Sequence, residues 1–185
     1  FEQSKEITQL WVPLPKDEDY HKVVSFYYSG NYSEALIVKN DYDTRVLYVK
    51  WNDANIKPTL EVNFGLAMQE RTTDFSKATS NTNYPSEVIE FLKGTQHIPV
   101  TPKLTKYVNE IVKNATTPLE KAKAIYNWTV STMYRDESVV GCGVGDAQKS
   151  IEEKIYGGKC TDISSVFVCL LRNAKIPARE TFGIR

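Results

Sequence analysis

The sequence has little of what several large protein classes need. No stretch approaches the roughly 18 consecutive apolar residues that cross a membrane. Lysine plus arginine and aspartate plus glutamate both number 23, so the chain offers no basic surface for nucleic acid or for a membrane. Phe1 to Lys5 lacks the charged and apolar regions of a signal peptide. A chain whose signal had been removed would look the same, so localisation stays open, with an extracytoplasmic protein (periplasmic or secreted) as the hypothesis.

Cysteine and histidine are also scarce. Three cysteines do not make a disulfide scaffold, and their odd number leaves at least one free thiol in a monomer. The two histidines are His21 and His97. Thr161 and Asp162 could be metal ligands only with histidine or cysteine partners at the right spacing, and the sequence has none there. We therefore expect no metal and no cofactor.

The first part of the chain has the alternating pattern of strands. Five runs rich in β-branched and aromatic residues are separated by short turn clusters. This pattern predicts an antiparallel β-sandwich-like domain over residues 1–76, with five or six strands. The runs are Ile7–Val12, Lys22–Tyr28, Ala35–Val38, Arg45–Trp51 and Leu60–Glu70.

After a polar linker the pattern changes to that of helices. Residues 77–100 are predicted as a linker with a short helix, and residues 101–185 as a helical core, so the fold class is α+β. Thr117-Pro118-Leu119-Glu120 is a capping box that opens the longest helix. That helix is expected to bury Trp128 and Met133, and a shorter one is expected from Asp146 to Ile155.

The segment that organises the helical part begins at Gly157-Gly158-Lys159-Cys160. Apolar residues then recur at 163, 166, 167, 170, 171 and 174, the spacing of an amphipathic helix. Cys160 therefore falls on the first turn, where unpaired N–H groups and the helix dipole favour thiolate. Its position three residues before Ile163 predicts a thiol that leans toward the buried stripe. Cys169, about half a turn away around the helix, is interpreted as a small core residue.

The run from Gly157 to Arg185, with its Lys175-Ile176-Pro177-Ala178-Arg179 corner, resembles the nucleophile segment of the bacterial transglutaminase-like superfamily. The likeness extends upstream through Thr117–Trp128 and Met133–Asp136, and more loosely to Leu10–Pro15. It implies a papain-like thiol fold, of which this chain would carry the N-terminal sheet domain and a truncated core. It also implies acyl transfer from an amide to an amine or to water, on a protein or peptide substrate.

Within that resemblance, Cys160 is the nucleophile that forms a thioester with the substrate. Gly158 and Lys159 shape the turn, and together with Thr161 and Asp162 they make the expected substrate and oxyanion region. The Cys160 N–H is expected to donate to the oxyanion. Whether the acceptor is an amine or water stays open.

The chain departs from the resemblance in its histidines. In the family, the catalytic His and its orienting Asp follow the Cys, whereas His21 and His97 both precede Cys160. We therefore expect the 185 residues to be inactive alone, with His and Asp supplied beyond Arg185 in a longer protein.

Two further expectations concern surfaces. The glycine-rich loop around Cys142 is interpreted as shaping the approach to Cys160, with a Cys142–Cys160 disulfide as an alternative. A rival hypothesis is a non-catalytic binding or assembly module. In it, Pro177–Arg185 would be an exposed edge strand through which a homo-oligomer could form.

Overall fold

The structure, a computed structural model, describes residues 7–40 and 44–181. These residues form two compact units, residues 7–73 and residues 74–181. Residues 77–100, which the polar composition predicts as a linker with a short helix, lie within the second unit. They contain a helical turn, α1 (Ser86–Ile89), that continues as a 3₁₀ turn at Glu90–Leu92.

The first unit contains five described strands, all paired antiparallel. The three-stranded sheet has the order β1-β4-β3, and a second sheet pairs β2 with β5. All five predicted strand runs are confirmed. The strands are β1 (Thr8–Pro13), β2 (His21–Gly30), β3 (Glu34–Lys39), β4 (Arg45–Trp51) and β5 (Leu60–Met68).

The core of the first unit lies on one face of β4. Leu47, Val49 and Trp51 alternate along that strand and are almost completely buried, because successive side chains of a strand point to opposite faces. Val12 of β1 completes the buried set, and partly buried side chains from both sheets pack against it. The Trp51 indole N–H donates to Asn31 Oδ1 at 2.9 Å, which gives its polar edge a partner inside the sheet.

The second unit is mainly helical. Its remaining helices are α2 (Pro102–Ile111), α3 (Pro118–Thr132), α4 (Ala147–Glu152) and α5 (Cys160–Asn173). Two short strands, β6 (Tyr134–Arg135) and β7 (Gly157–Gly158), pair in parallel. The helices agree with the predicted ones within a few residues. The strands β6 and β7 were not predicted, because two residues are too few to show a period.

The predicted start of α3 is confirmed in detail. Glu120 N–H donates to Thr117 Oγ1 at 3.2 Å, and Thr117 N–H donates to Glu120 Oε2 at 2.9 Å. Thr116 adds its N–H and its hydroxyl to the same carboxylate. These bonds, first of all the one from the Thr117 backbone, lower the pKa of Glu120 to about 2.

Farther along α3, Met133 is buried as expected, whereas Trp128 is only half-buried. The Trp128 ring packs edge-on against Tyr107 and Tyr156, with centroid distances of 5.9 Å in both cases. Trp128 therefore closes one side of the core and still reaches the surface.

The expectation of an exposed edge strand at Pro177–Arg185 is wrong over the described residues 177–181, which have no strand pairing. The chain instead turns back onto the second unit. Ala178 N–H donates to the Phe91 carbonyl at 3.2 Å, and Arg172 Nε donates to the Ala178 carbonyl at 2.8 Å. Because the unit itself uses these backbone groups, they are not open for pairing with another chain. Residues 182–185 of the predicted strand lie outside the described residues.

Candidate functional site

Cys160 is the first residue of α5, as its position after the two glycines predicts. Its side chain is exposed, so the prediction that the thiol leans into the buried stripe is wrong. The second half of α5 is enclosed: every residue from Val168 to Asn173 is buried. The first turn lies outside this enclosed part of the core. Ile163, the first residue of the apolar stripe, is only half-buried. The structure thus presents the thiol to solvent at the start of a helix whose other end is fixed in the core.

Asp162 holds the start of α5 to the glycine-rich loop. Its Oδ1 accepts from Val144 N–H at 2.9 Å and from Gly145 N–H at 2.8 Å. Its Oδ2 accepts from Lys159 N–H at 2.9 Å, the residue immediately before the helix. One carboxylate thus satisfies three backbone donors, one of them at the otherwise unsatisfied helix start.

The glycines of the loop and of the turn allow this close approach. Gly143 has φ +90°, and a Cβ there would overlap the Asp162 carboxylate. A Cβ on Gly158 would lie 2.6 Å from the Asp162 Cβ. The loop also touches the residue after the thiol, because Thr161 N–H donates to the Cys142 carbonyl at 3.3 Å. The loop around Cys142 therefore lies against the first turn of α5, beside Cys160.

A second anchor lies on the other side of the turn. Lys159 is 7% exposed, and its ammonium group donates to the carboxylate and the carbonyl of Glu137. The Glu137 carboxylate also accepts from Arg135 Nε. These two cations, Arg135 first, lower the pKa of Glu137 to about 2. Asp136 N–H donates to the Gly158 carbonyl at 2.9 Å, which ties the same segment to the turn.

Arg135, which is paired with Glu137, lies close enough to Cys160 for their charges to interact. The hydrogen bond to Glu137 is the main reason that the pKa of Arg135 is raised, and the charge of a Cys160 thiolate contributes in the same direction. Sequence reasoning assigned no role to Arg135 or Glu137. Arg135 lies within the Met133–Asp136 stretch of the resemblance, and Glu137 only extends a short charge run after α3, a pattern that more often marks a solvated loop.

The three cysteines are free, and their surroundings differ. Cys169 is fully buried, and its thiol donates to the Pro99 carbonyl at 3.4 Å. Burial raises the pKa of Cys169 to about 12, so its interpretation as a core residue is confirmed. Cys142 is exposed, as is Cys160.

The two histidines lie in different units of the structure. His97 is exposed, and its carbonyl accepts from Ala147 N–H at the start of α4. His21, in the first unit, packs edge-on against Tyr20 at 4.8 Å between ring centroids. Within the second unit, over the residues that the structure describes, no hydrogen bond joins His97 to Cys160.

Comparison with known proteins adds the family. Residues 105–185 match the sequence profile of the core of the transglutaminase-like superfamily. This part of the chain is similar to a transglutaminase-like core. It is also 40% identical over 185 residues to an uncharacterised protein of Haemophilus influenzae, an alignment that covers 96% of the chain and 50% of that relative. The chain thus spans about half the length of the curated relative it matches.

A solved structure has a fold similar to that of nearly the whole chain. A crystal structure of a candidate cysteine protease from Cytophaga hutchinsonii superposes with a TM-score of 0.74 and 16% sequence identity. The match covers 95% of this chain and 61% of that one. The fold is therefore a mixture of helices and mainly antiparallel sheets, similar to the fold of that protein.

The described residues show neither a metal-binding group of side chains nor a membrane-spanning helix. Residues 7–40 and 44–181 contain no group of three or more His, Cys, Asp or Glu side chains that could hold a metal ion. None of the helices in these ranges combines the length and the apolar character that a membrane crossing needs.

Proposed function

We propose that the protein is a cysteine enzyme that acts on amide bonds, with Cys160 as its nucleophile. The observation that carries this proposal is an exposed thiol on the first residue of a helix, inside a transglutaminase-like core. N–H groups in the first turn of a helix generally favour a thiolate at that position. Cys160 is thus accessible at a helix start, whereas Cys169 is buried in the core.

The proposed reaction has two steps. A base takes the proton of the Cys160 thiol, and the thiolate attacks the carbonyl carbon of a carboxamide. The C–S bond forms, and the C–N bond breaks as the amine, or ammonia from a primary amide, leaves with the proton returned by that base. An amine or water then attacks the thioester carbon and releases the thiolate. The Cys160 N–H is the proposed oxyanion donor, with Gly158 and Lys159 fixing the turn that aims it. Thr161 and Asp162 belong to the same region.

Peptides and proteins with amide groups are the proposed substrates. The similarity to a candidate cysteine protease supports this class. Supplying a glutamine-containing peptide with and without a primary amine distinguishes the two outcomes. Amine incorporation indicates transfer, and ammonia or peptide release without incorporation indicates hydrolysis.

We further propose that catalysis needs a base outside the 185 residues. A cysteine nucleophile needs a base within hydrogen-bond reach, and both histidines of the chain precede Cys160, against the family order. The 185-residue chain is expected to show no turnover, whereas a longer protein carrying a later His and Asp is expected to turn over and to lose that activity in Cys160→Ala. Sustained turnover by the 185 residues that disappears in Cys160→Ala would assign the base to His21, to His97 or to a partner chain.

A non-catalytic binding module is the second candidate, and the first unit favours it. β3 lies at the edge of its sheet, and Leu36, Ile37 and Val38 are all more than two-fifths exposed. In this proposal, the two sheets form a sandwich-like module whose β3 edge takes up an extended segment of another protein. Ile37→Lys is then expected to abolish pull-down of a binding partner and to leave Cys160 labelling unchanged. Unchanged partner binding would count against the β3 edge.

A further inference from the structure

We infer that Asp162 is a positioning residue, which sets how the glycine-rich loop lies beside the thiol rather than contacting substrate. Both of its oxygens are already engaged by backbone donors: Val144 and Gly145 from the loop, and Lys159 from the turn. Both carboxylate oxygens therefore accept hydrogen bonds from the protein backbone rather than from a bound molecule. Its importance for catalysis rests on the proposed function, whereas its effect on the thiol can be measured without turnover.

The loop around Cys142 has few other attachments near the thiol. The backbone bond from Thr161 to the Cys142 carbonyl is long, at 3.3 Å. Val140 and Val144 are 93% and 75% exposed, so these loop side chains provide little packing. The charge-assisted bonds to Asp162 are shorter, and such bonds are about twice as strong as neutral ones. Asp162 is therefore the main link between this loop and the helix that carries Cys160.

The two carboxylate oxygens of Asp162 have different partners. Oδ1 binds the loop, and Oδ2 caps the helix. In Asp162→Asn, the amide oxygen can keep the loop bonds while its NH₂ group faces the Lys159 N–H and cannot accept from it. In Asp162→Ala, both sets of bonds are lost. Loop release is therefore expected in the alanine variant and not in the asparagine variant.

The Gly143→Ala variant distinguishes an effect of the loop position from an effect of the Asp162 charge. A Cβ at residue 143 would overlap the Asp162 carboxylate at a φ of +90°, so the loop must move although the negative charge stays. If Asp162 acts by holding the loop, Gly143→Ala reproduces the effect of Asp162→Ala. If it acts only as a charge near the thiol, Gly143→Ala leaves the thiol unchanged.

The test uses two readouts on the 185-residue chain. The first is amide hydrogen exchange at Val144 and Gly145. The second is the ratio of the Cys160 alkylation rates for a bulky aryl maleimide and for iodoacetamide, measured from pH 6 to pH 9. Asp146→Asn is the matched control: it removes the same charge at the end of the same loop, but Asp146 Oδ1 accepts from Lys149 N–H in α4.

We expect Asp162→Ala and Gly143→Ala to speed exchange at Val144 and Gly145 by about tenfold, the scale of one lost charge-assisted hydrogen bond. Both variants are expected to raise the rate ratio at least about threefold, on the reasoning that a released loop obstructs the larger reagent less. Asp162→Asn and Asp146→Asn are expected to leave both readouts near wild type. A merely structural Asp162 would lower the denaturation midpoint without changing the rate ratio, and that result would overturn the inference. A changed ratio, together with no turnover by a longer protein that carries the later His and Asp, would instead count against the proposed function alone.

Discussion

The two units differ in how much of their apolar surface they bury. Among the described residues, the first unit has four buried core residues, three of them on β4, whereas the second has fourteen distributed over its helices and connections. The first unit also leaves large apolar side chains such as Trp11, Val24 and Met68 more than half exposed. Since burial of apolar area is the dominant favourable contribution to folding, we expect the second unit to be the more stable one.

The largest effect is expected from Trp51→Ala, which removes the largest side chain of the small β core. Loss of a buried tryptophan typically costs about 3–5 kcal/mol, and three buried residues would remain. The first unit is expected to lose protection from hydrogen exchange while the second keeps it. Trp11→Ala, at a 56% exposed position, is the control and is expected to have little effect. Loss of protection in both units together would show that they do not differ in the way we describe.

A smaller effect is expected from Trp128→Ala in the second unit. Trp128 is half-buried between Tyr107 and Tyr156, so its cost is expected at the low end of the range, about 3 kcal/mol. Chemical denaturation measures it, with Val130→Ala on the same helix as the exposed control. Equal costs for the two variants would mean that the aromatic cluster contributes nothing beyond the helix itself.

The start of α3 allows a finer comparison inside the second unit. Thr117→Ala removes the N-cap hydroxyl that accepts from Glu120 N–H, and loss of such a cap typically costs about 1 kcal/mol. Thermal unfolding of the variant and wild type measures the difference. A variant as stable as wild type would show that the neighbouring Thr116 replaces the cap.

The smallest effect concerns pH. The pKa of Glu120 is lowered from 4.5 to about 2 in the folded chain, so Glu120 contributes stability that is present above about pH 4.5 and is lost as the pH falls toward 2. Glu120→Gln is expected to be less stable than wild type at pH 7 and to approach it near pH 2. Because the group is exposed, the difference is expected to shrink in high salt. A difference that is the same at both pH values would assign it to packing.

The sequence was informative where local chemistry decides the structure. The alternation in Arg45–Trp51 and the capping box at Thr117 act over a few residues, and both predict the observed elements. Cys160 at the start of α5 was likewise predictable from the two glycines and the helical spacing.

What could not be predicted depends on contacts between distant residues. The exposure of Cys160 follows from which half of α5 is enclosed, and the anchors on Asp162 and Lys159 come from residues about 17 to 22 positions away. The return of the chain after Pro177 depends in the same way on the carbonyl of Phe91, far back in the sequence. No period in the sequence records such contacts.

The most direct test of the account compares the reactivity of the three thiols. Intact protein is alkylated with limiting iodoacetamide at pH 7, and the modified cysteines are mapped by mass spectrometry, with Cys160→Ser to assign the fast phase. We expect Cys160 to be alkylated first, because it is exposed and the N–H groups of a helix start favour a thiolate. Cys142, which is exposed but lies in the loop, follows, and Cys169, whose pKa burial raises to about 12, comes last. Labelling of Cys160 that is no faster than that of Cys142 would contradict its assignment as the nucleophile.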